Sequence, residues 1–152
     1  MRVLDLAGGS GRDAVYMAIR GMQVEMWDKL PDAIEKCRDL ARRNAVEVAT
    51  RVRDLEFQPS IPPYMYDVVT CFSFLHRPLM RSIADAVRPG GWVVYETFLE
   101  AQRERFGKPQ QASHLLKAGE LTLYFDGWEI IEYAEGLAGP RRIVASLIAR
   151  KR

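Results

Sequence analysis

The chain has 152 residues, 48% of them hydrophobic and 28% charged, enough for one domain with one core and too few for two. Lys and Arg number 22 against 20 Asp and Glu, a formal charge of +2, which lacks the basic excess of a dedicated nucleic-acid binder. Charges interrupt every apolar stretch well short of the roughly 20 residues a membrane span requires, so a single domain over residues 1–152 without a membrane segment is expected. No basic-then-apolar leader opens the sequence, which points to the cytoplasm. The two cysteines, Cys37 and Cys71, are too few for a disulfide framework or a zinc site; both read as thiols, and no metal is expected.

Val3 to Leu6 is a short apolar strand running into Ala7-Gly8-Gly9-Ser10-Gly11, a turn with almost no side-chain bulk. A helix follows to Arg20, with Gly21 placed to end it. Gln23 to Trp27 reads as a second strand ending at Asp28, and Pro31 opens a helix whose face is Ile34, Cys37, Leu40 and Ala41. Val46 to Val52 alternates as a third strand up to Asp54. A polar, Pro-containing loop (Gln58 to Pro63) then leads to Tyr66 to Phe74, the most continuous apolar run and so a strand buried on both faces. Pro78 to Val87 reads as a helix stopped by Arg88-Pro89-Gly90-Gly91, and Trp92 to Thr97 as the fifth strand. Residues 99–111 are polar and read as a mobile functional loop. Leu115 to Phe125 reads as a helix, and Trp128 to Tyr133 with Ile143 to Ala149 as a closing antiparallel hairpin. Strands alternating with helices need right-handed crossovers. The expectation is a doubly wound α/β fold: a mostly parallel seven-stranded sheet, helices on both faces and an antiparallel C-terminal hairpin.

In such sheets ligands lie outside the carboxyl ends of the strands, and the first strand-to-helix turn is the usual cradle. Gly9-Ser10-Gly11-Arg12-Asp13-Ala14 satisfies G-x-G-x-x-[GA], with Asp28 19 positions past Gly9, which formally meets the dinucleotide fingerprint. Asp5 argues against that reading. Its carboxylate, four residues before Gly9 on the strand, is expected to project towards the place of a pyrophosphate and to repel it. A ligand with an ammonium and no phosphate suits the same acid, and S-adenosylmethionine is such a ligand. Asp28 would then take the two ribose hydroxyls and Asp54 the adenine amino group, one acid at the end of each of three successive strands.

Asp5-Leu6-Ala7-Gly8-Gly9-Ser10-Gly11 resembles the first motif of class I S-adenosylmethionine-dependent methyltransferases, D-x-G-x-G-x-G, with Ala7 in place of the first glycine. Tyr66-Asp67-Val68-Val69 and Arg88-Pro89-Gly90-Gly91 resemble later motifs of that class. Gly11-Arg12-Asp13, Leu75-His76-Arg77-Pro78, Tyr95-Glu96-Thr97-Phe98 and Gly119-Glu120-Leu121 are similar to the small bacterial branch related to tellurite-resistance methyltransferases. The resemblance implies a cofactor site of Asp5, Ala7, Gly9, Gly11, Asp13, Asp28, Lys29, Asp54, Leu55 and Phe72. It also implies a helical segment ahead of the first strand that helps cover the pocket, whereas this sequence begins at the strand.

The activity expected is methyl transfer by in-line displacement to a small-molecule nucleophile. The alternatives are a non-catalytic module holding the cofactor or S-adenosylhomocysteine, and an NAD-dependent oxidoreductase. The protein's task in methyl transfer is alignment and exclusion of water, with a general base needed only for a protonated nucleophile. Ser73, His76, Glu96 and Glu120 are expected at the same rim, with His76 and Glu96 ranked first as catalytic residues. Each has a structural alternative: a histidine at a helix start can bond the turn, and Glu96 can pair with an arginine.

Overall fold

A computed structural model describes residues 1–152. Seven strands form one sheet in the order β3-β2-β1-β4-β5-β7-β6. β1 (Arg2–Leu6) lies at its centre, parallel to β2 (Gln23–Asp28) on one side and to β4 (Tyr66–Phe72) on the other. The short β3 (Ala49–Val52) flanks β2, and β5 (Val87–Phe98) extends the parallel array beyond β4. β7 (Ile143–Arg150) runs antiparallel between β5 and β6 (Glu129–Leu137), the exposed edge strand. This is the expected mixed sheet with its closing hairpin.

The period-two alternation of the strands divides the core. Leu4 and Leu6, with Val69, Cys71, Val93, Tyr95 and Leu147, bury one face beneath α3 (Met80–Ala86) and the later residues Leu116, Leu121 and Phe125. Val3, Val24 and Met26 face the other way, under α1 (Arg12–Ile19) and α2 (Pro31–Arg43), where they meet Ala14, Ile34 and Cys37. α2 has Pro31 at its start, Asp32 in its first turn and Arg42 and Arg43 in its last, charges that match the helix dipole at both ends. Leu40, expected on the core face of this helix, is only half-buried, because Ala33, Ile34, Cys37 and Ala41 already make the stripe.

Four local expectations change. The third strand begins at Ala49, not Val46. Val87 starts β5 and does not end the preceding helix, and Arg88–Gly91 bulge out because Tyr66 pairs with Val87 while Val68 pairs with Trp92. Residues 99–111 are not a loop throughout: α4 (Glu100–Phe106) occupies half of them, closed by Gly107 at φ 78°. Gln102 is buried there, donating to the Arg141 carbonyl (2.9 Å) and accepting from the Ile143 amide (2.6 Å), so a polar residue anchors the helix to the hairpin. Finally, Leu115 to Phe125 is not one helix. Leu115 and Leu116 are extended and fully buried, Leu116 bridges Leu99, and only α5 (Glu120–Leu123) is helical. No helix is long and apolar enough to cross a membrane.

Candidate functional site

The chain order reverses between β1 and β4, and the carboxyl ends of β1, β2, β4 and β5 open there on one rim. A cavity of about 360 Å³ lies at this rim, within the range of small-ligand sites. Its walls come from Ala7 after β1, Asp28 to Leu30 after β2, Arg53 to Glu56 after β3, Ser73 to Leu75 after β4, and Thr97 and Phe98 at the end of β5. Pro109 and His114 close the far end.

The turn after β1 is tight by construction. The Gly8 amide donates to the Trp27 carbonyl (3.3 Å) and the Gly11 amide to that of Gly8 (3.1 Å). Gly11 has φ 85°, and a Cβ there would collide with the Cys37 side chain. Gly9, at φ 60°, has open space where a side chain would stand, so its backbone is free to be approached. The Gly9 amide donates to Asp28 Oδ2 (3.0 Å) and the Leu30 amide to Asp28 Oδ1 (2.9 Å), fixing the carboxylate at the mouth of the cavity. Each oxygen has a second lone-pair direction left for a ligand. Asp54, exposed, accepts from the Glu56 amide through Oδ1 (3.0 Å), while Leu55 is buried beside it.

Of the residues expected to hold a cofactor, Ala7, Asp28, Lys29, Asp54 and Leu55 line the cavity. Asp5, Gly9, Gly11, Asp13 and Phe72 do not. Gly9 and Gly11 shape the turn, Asp13 is exposed in the first turn of α1, and Phe72 is half-buried at the end of β4. Asp5 corrects the electrostatic argument. It is 1% exposed, points from β1 under the glycine turn, and accepts from the Thr70 hydroxyl at 2.8 Å, while its Oδ2 has no partner. A Cβ on Gly8 would stand 2.8 Å from that oxygen. Burial, opposed by the Thr70 bond and assisted by Asp13 and Asp28, pushes the Asp5 carboxyl up to about 7. The acids that would meet a phosphate are instead Asp28, Asp54 and Glu56, against the cations Lys29 and Arg53.

The expected catalytic residues His76 and Glu96 are not among the residues that line this cavity. The His76 imidazole makes no cap to the 3₁₀ turn Arg77–Leu79 that it precedes. Glu96 has both oxygens occupied, accepting from Arg142 (3.1 Å) and from the Ser146 hydroxyl (2.8 Å), so the arginine pairing is the one realised. Glu120 takes two bonds from Arg77 (2.7 and 2.8 Å) and one from the Tyr124 hydroxyl, and the Arg77 guanidinium holds its carboxyl down to about 2. Arg77 also donates to the Leu115 carbonyl (2.8 Å), fixing the segment that carries His114. Of the four, only Ser73 lines the cavity, at φ 56°. His114 was missed because its only sequence signal, a histidine in a polar stretch, is indistinguishable from a solvated loop residue.

This strand order, with the ligand rim at its reversal, is the Rossmann-like methyltransferase fold. The crystal structure of TehB from Haemophilus influenzae superposes with a TM-score of 0.84 at 24% identity, over 99% of this chain and 57% of that one. A methyltransferase from Mesorhizobium loti gives 0.79 at 15%, over 99% and 90%. The family model described as tellurite resistance protein TehB matches residues 1–144, and the chain belongs to that family. Among curated relatives, a probable S-adenosyl-L-methionine-dependent methyltransferase TehB of Haemophilus influenzae is 24% identical over 141 residues, 90% of this chain and 49% of the relative. A ubiquinone biosynthesis O-methyltransferase of Bordetella pertussis is 35% identical over 101 residues, 63% and 42%. The chain thus spans less than half the length of these curated relatives.

Proposed function

We propose that residues 1–152 form one S-adenosylmethionine-binding domain that passes a methyl group to a small-molecule acceptor in the cytoplasm. The observation that carries the reading is Asp28: a carboxylate fixed by two backbone amides at the end of β2, with lone pairs left over on a cavity wall. That is a receptor for a pair of hydroxyls. The cavity's donor set fits the cofactor in other respects as well. Three acids outnumber two cations, which favours a cationic ligand over a diphosphate, and Leu55, Phe74, Leu75 and Phe98 offer apolar surface.

When bound, the cofactor supplies a methyl carbon made electrophilic by its sulfonium charge. The chain's part is to hold and exclude. Asp28 accepts the ribose hydroxyls, Asp54 and Leu55 flank the base, and the Gly9 backbone admits close approach. Ser73, Phe74, Thr97 and Phe98 wall the strand ends and keep water from the reacting atoms. The names of the relatives support the activity, and the near-balance of 22 Lys and Arg against 20 Asp and Glu favours a small acceptor over nucleic acid.

Calorimetric titration with S-adenosylmethionine, S-adenosylhomocysteine and NAD tests the reading. The first two are expected to bind and NAD to give no heat; tight NAD binding with none of S-adenosylmethionine would overturn it. Asp28→Ala is expected to weaken S-adenosylhomocysteine by about 1–3 kcal/mol, the cost of leaving hydroxyls without a charged acceptor. An unchanged affinity removes Asp28 from the site.

A further inference from the structure

A second cavity of about 670 Å³, wide and open to solvent, adjoins the first. Phe98, Pro109 and His114 line both, so these three side chains form the wall through which the two communicate. The rest of the second cavity is polar: Gln102, Lys108, Gln110 and Gln111. Its lining contains no carboxylate and one cation, Lys108. An amine acceptor, arriving as an ammonium, would find no counter-charge there. A hydroxyl that gains negative charge as it reacts would find Lys108 and the glutamine amides.

His114 is the one imidazole on either cavity wall. It is half-buried, and none of the chain's own hydrogen bonds engages its ring. Its backbone is nonetheless well fixed: its amide donates to the Gln111 carbonyl (3.0 Å), and Arg77 holds the carbonyls of the neighbouring Ser113 (3.3 Å) and Leu115 (2.8 Å). A positioned side chain with an unengaged ring at the junction of two cavities has the placement of a general base.

We infer that the second cavity takes the methyl acceptor, that the acceptor reacts through a hydroxyl group, and that His114 is the catalytic residue that removes its proton. This rests on the methyltransferase reading of the first cavity. Even a phenol, among the more acidic hydroxyl compounds, ionises only near about pH 10 in water, so the acceptor arrives protonated and needs a base. The hydroxyl proton passes to an imidazole nitrogen, and the freed oxygen lone pair forms the bond to the methyl carbon. The carbon–sulfur bond breaks with its electron pair kept by sulfur, leaving the methyl ether, S-adenosylhomocysteine and an imidazolium that returns its proton to solvent.

The experiment uses the fact that the chain has 2 histidines, so His76→Gln assigns both imidazole signals in a proton–carbon NMR spectrum. The protein is saturated with S-adenosylhomocysteine, then titrated with catechol and, separately, with benzylamine as the cationic counterpart. Catechol is expected to shift the His114 signals and benzylamine to leave them in place. With S-adenosylmethionine, His114→Gln is expected to lower the kcat of catechol methylation by about 100-fold or more, measured on folded protein saturated with the cofactor. Catechol binding that moves only His76, a preference for benzylamine, no binding of either probe, or full methylation by His114→Gln would each overturn the assignment. Failure to bind S-adenosylhomocysteine at all would instead bring down the reading beneath it, and the inference with it.

Discussion

The two ends of the first cavity are built in different ways. At the β1–β2 end the functional groups are positioned by backbone: amides of Gly9 and Leu30 hold Asp28, and the turn itself is closed by the Trp27 and Gly8 carbonyls. At the Phe98–His114 end they are positioned by side chains reaching across the sequence, Arg77 to Glu120 and Leu115, and Gln102 to the hairpin. Backbone geometry survives most substitutions, whereas a side-chain clamp is undone by one. A domain that keeps one ligand while its acceptor changes would be expected to divide its construction in this manner.

The sharpest way to break the first end is Gly11→Val. It combines a φ of 85° with a collision against Cys37 and is expected to cost about 3 kcal/mol or more, read as a large fall in melting temperature and loss of S-adenosylhomocysteine binding. Retained binding would show that the turn tolerates rearrangement. Next in size is Arg77→Ala, which strands the Glu120 carboxylate, whose side chain is 12% exposed. A loss of about 2 kcal/mol in chemical denaturation is expected, discounted because the arginine side chain is itself 35% exposed, with cofactor affinity kept.

The pH dependence gives that prediction a sign. Glu120 is held down to about 2 from an ordinary 4.5, so its contribution is present above about 4.5 and is lost as the pH falls towards 2. The acid limb of the stability curve should therefore be shallower in Arg77→Ala than in the parent. An identical limb would mean that the ion pair is not what depresses this carboxyl. Smallest of all, Glu96→Gln and His76→Gln are expected to leave methyl transfer unchanged to within about twofold and stability to within about 1 kcal/mol. A large fall in rate with intact cofactor binding would return either residue to the site.

The same division separates what the sequence makes legible from what it hides. Through Phe98 the strands announce themselves, because glycine, proline and aspartate punctuate apolar runs whose burial follows from their period. Asp28 could be placed for that reason. Between Leu99 and Phe125 the signals conflict. α4 buries a glutamine, so its inward face does not look apolar, although Gly107 marks its end. Leu115 and Leu116 fall on a helical period yet lie extended, since the bridge to Leu99 and the core beneath it outweigh local propensity. His114 sits inside that stretch, and tertiary contacts alone bring it to the cavity. Asp5 fails differently: its position on β1 was legible, but the direction of its carboxylate depends on the Thr70 hydroxyl of a strand 65 residues away.

That buried carboxyl also makes folding a proton-uptake reaction. Its value of about 7 in the fold, against 3.8 for an ordinary aspartate, means that between those two pH values the unfolded chain carries an ionised Asp5 and the folded chain a protonated one. The protein therefore gives up stability as the pH rises through that window, by up to about 1.4 kcal/mol per unit. Refolding near pH 5.5 draws up to one proton per molecule from the medium for this site. The heat of unfolding measured there consequently includes the ionisation enthalpy of whatever buffer is present, and two buffers of equal pH will report different enthalpies for the same transition.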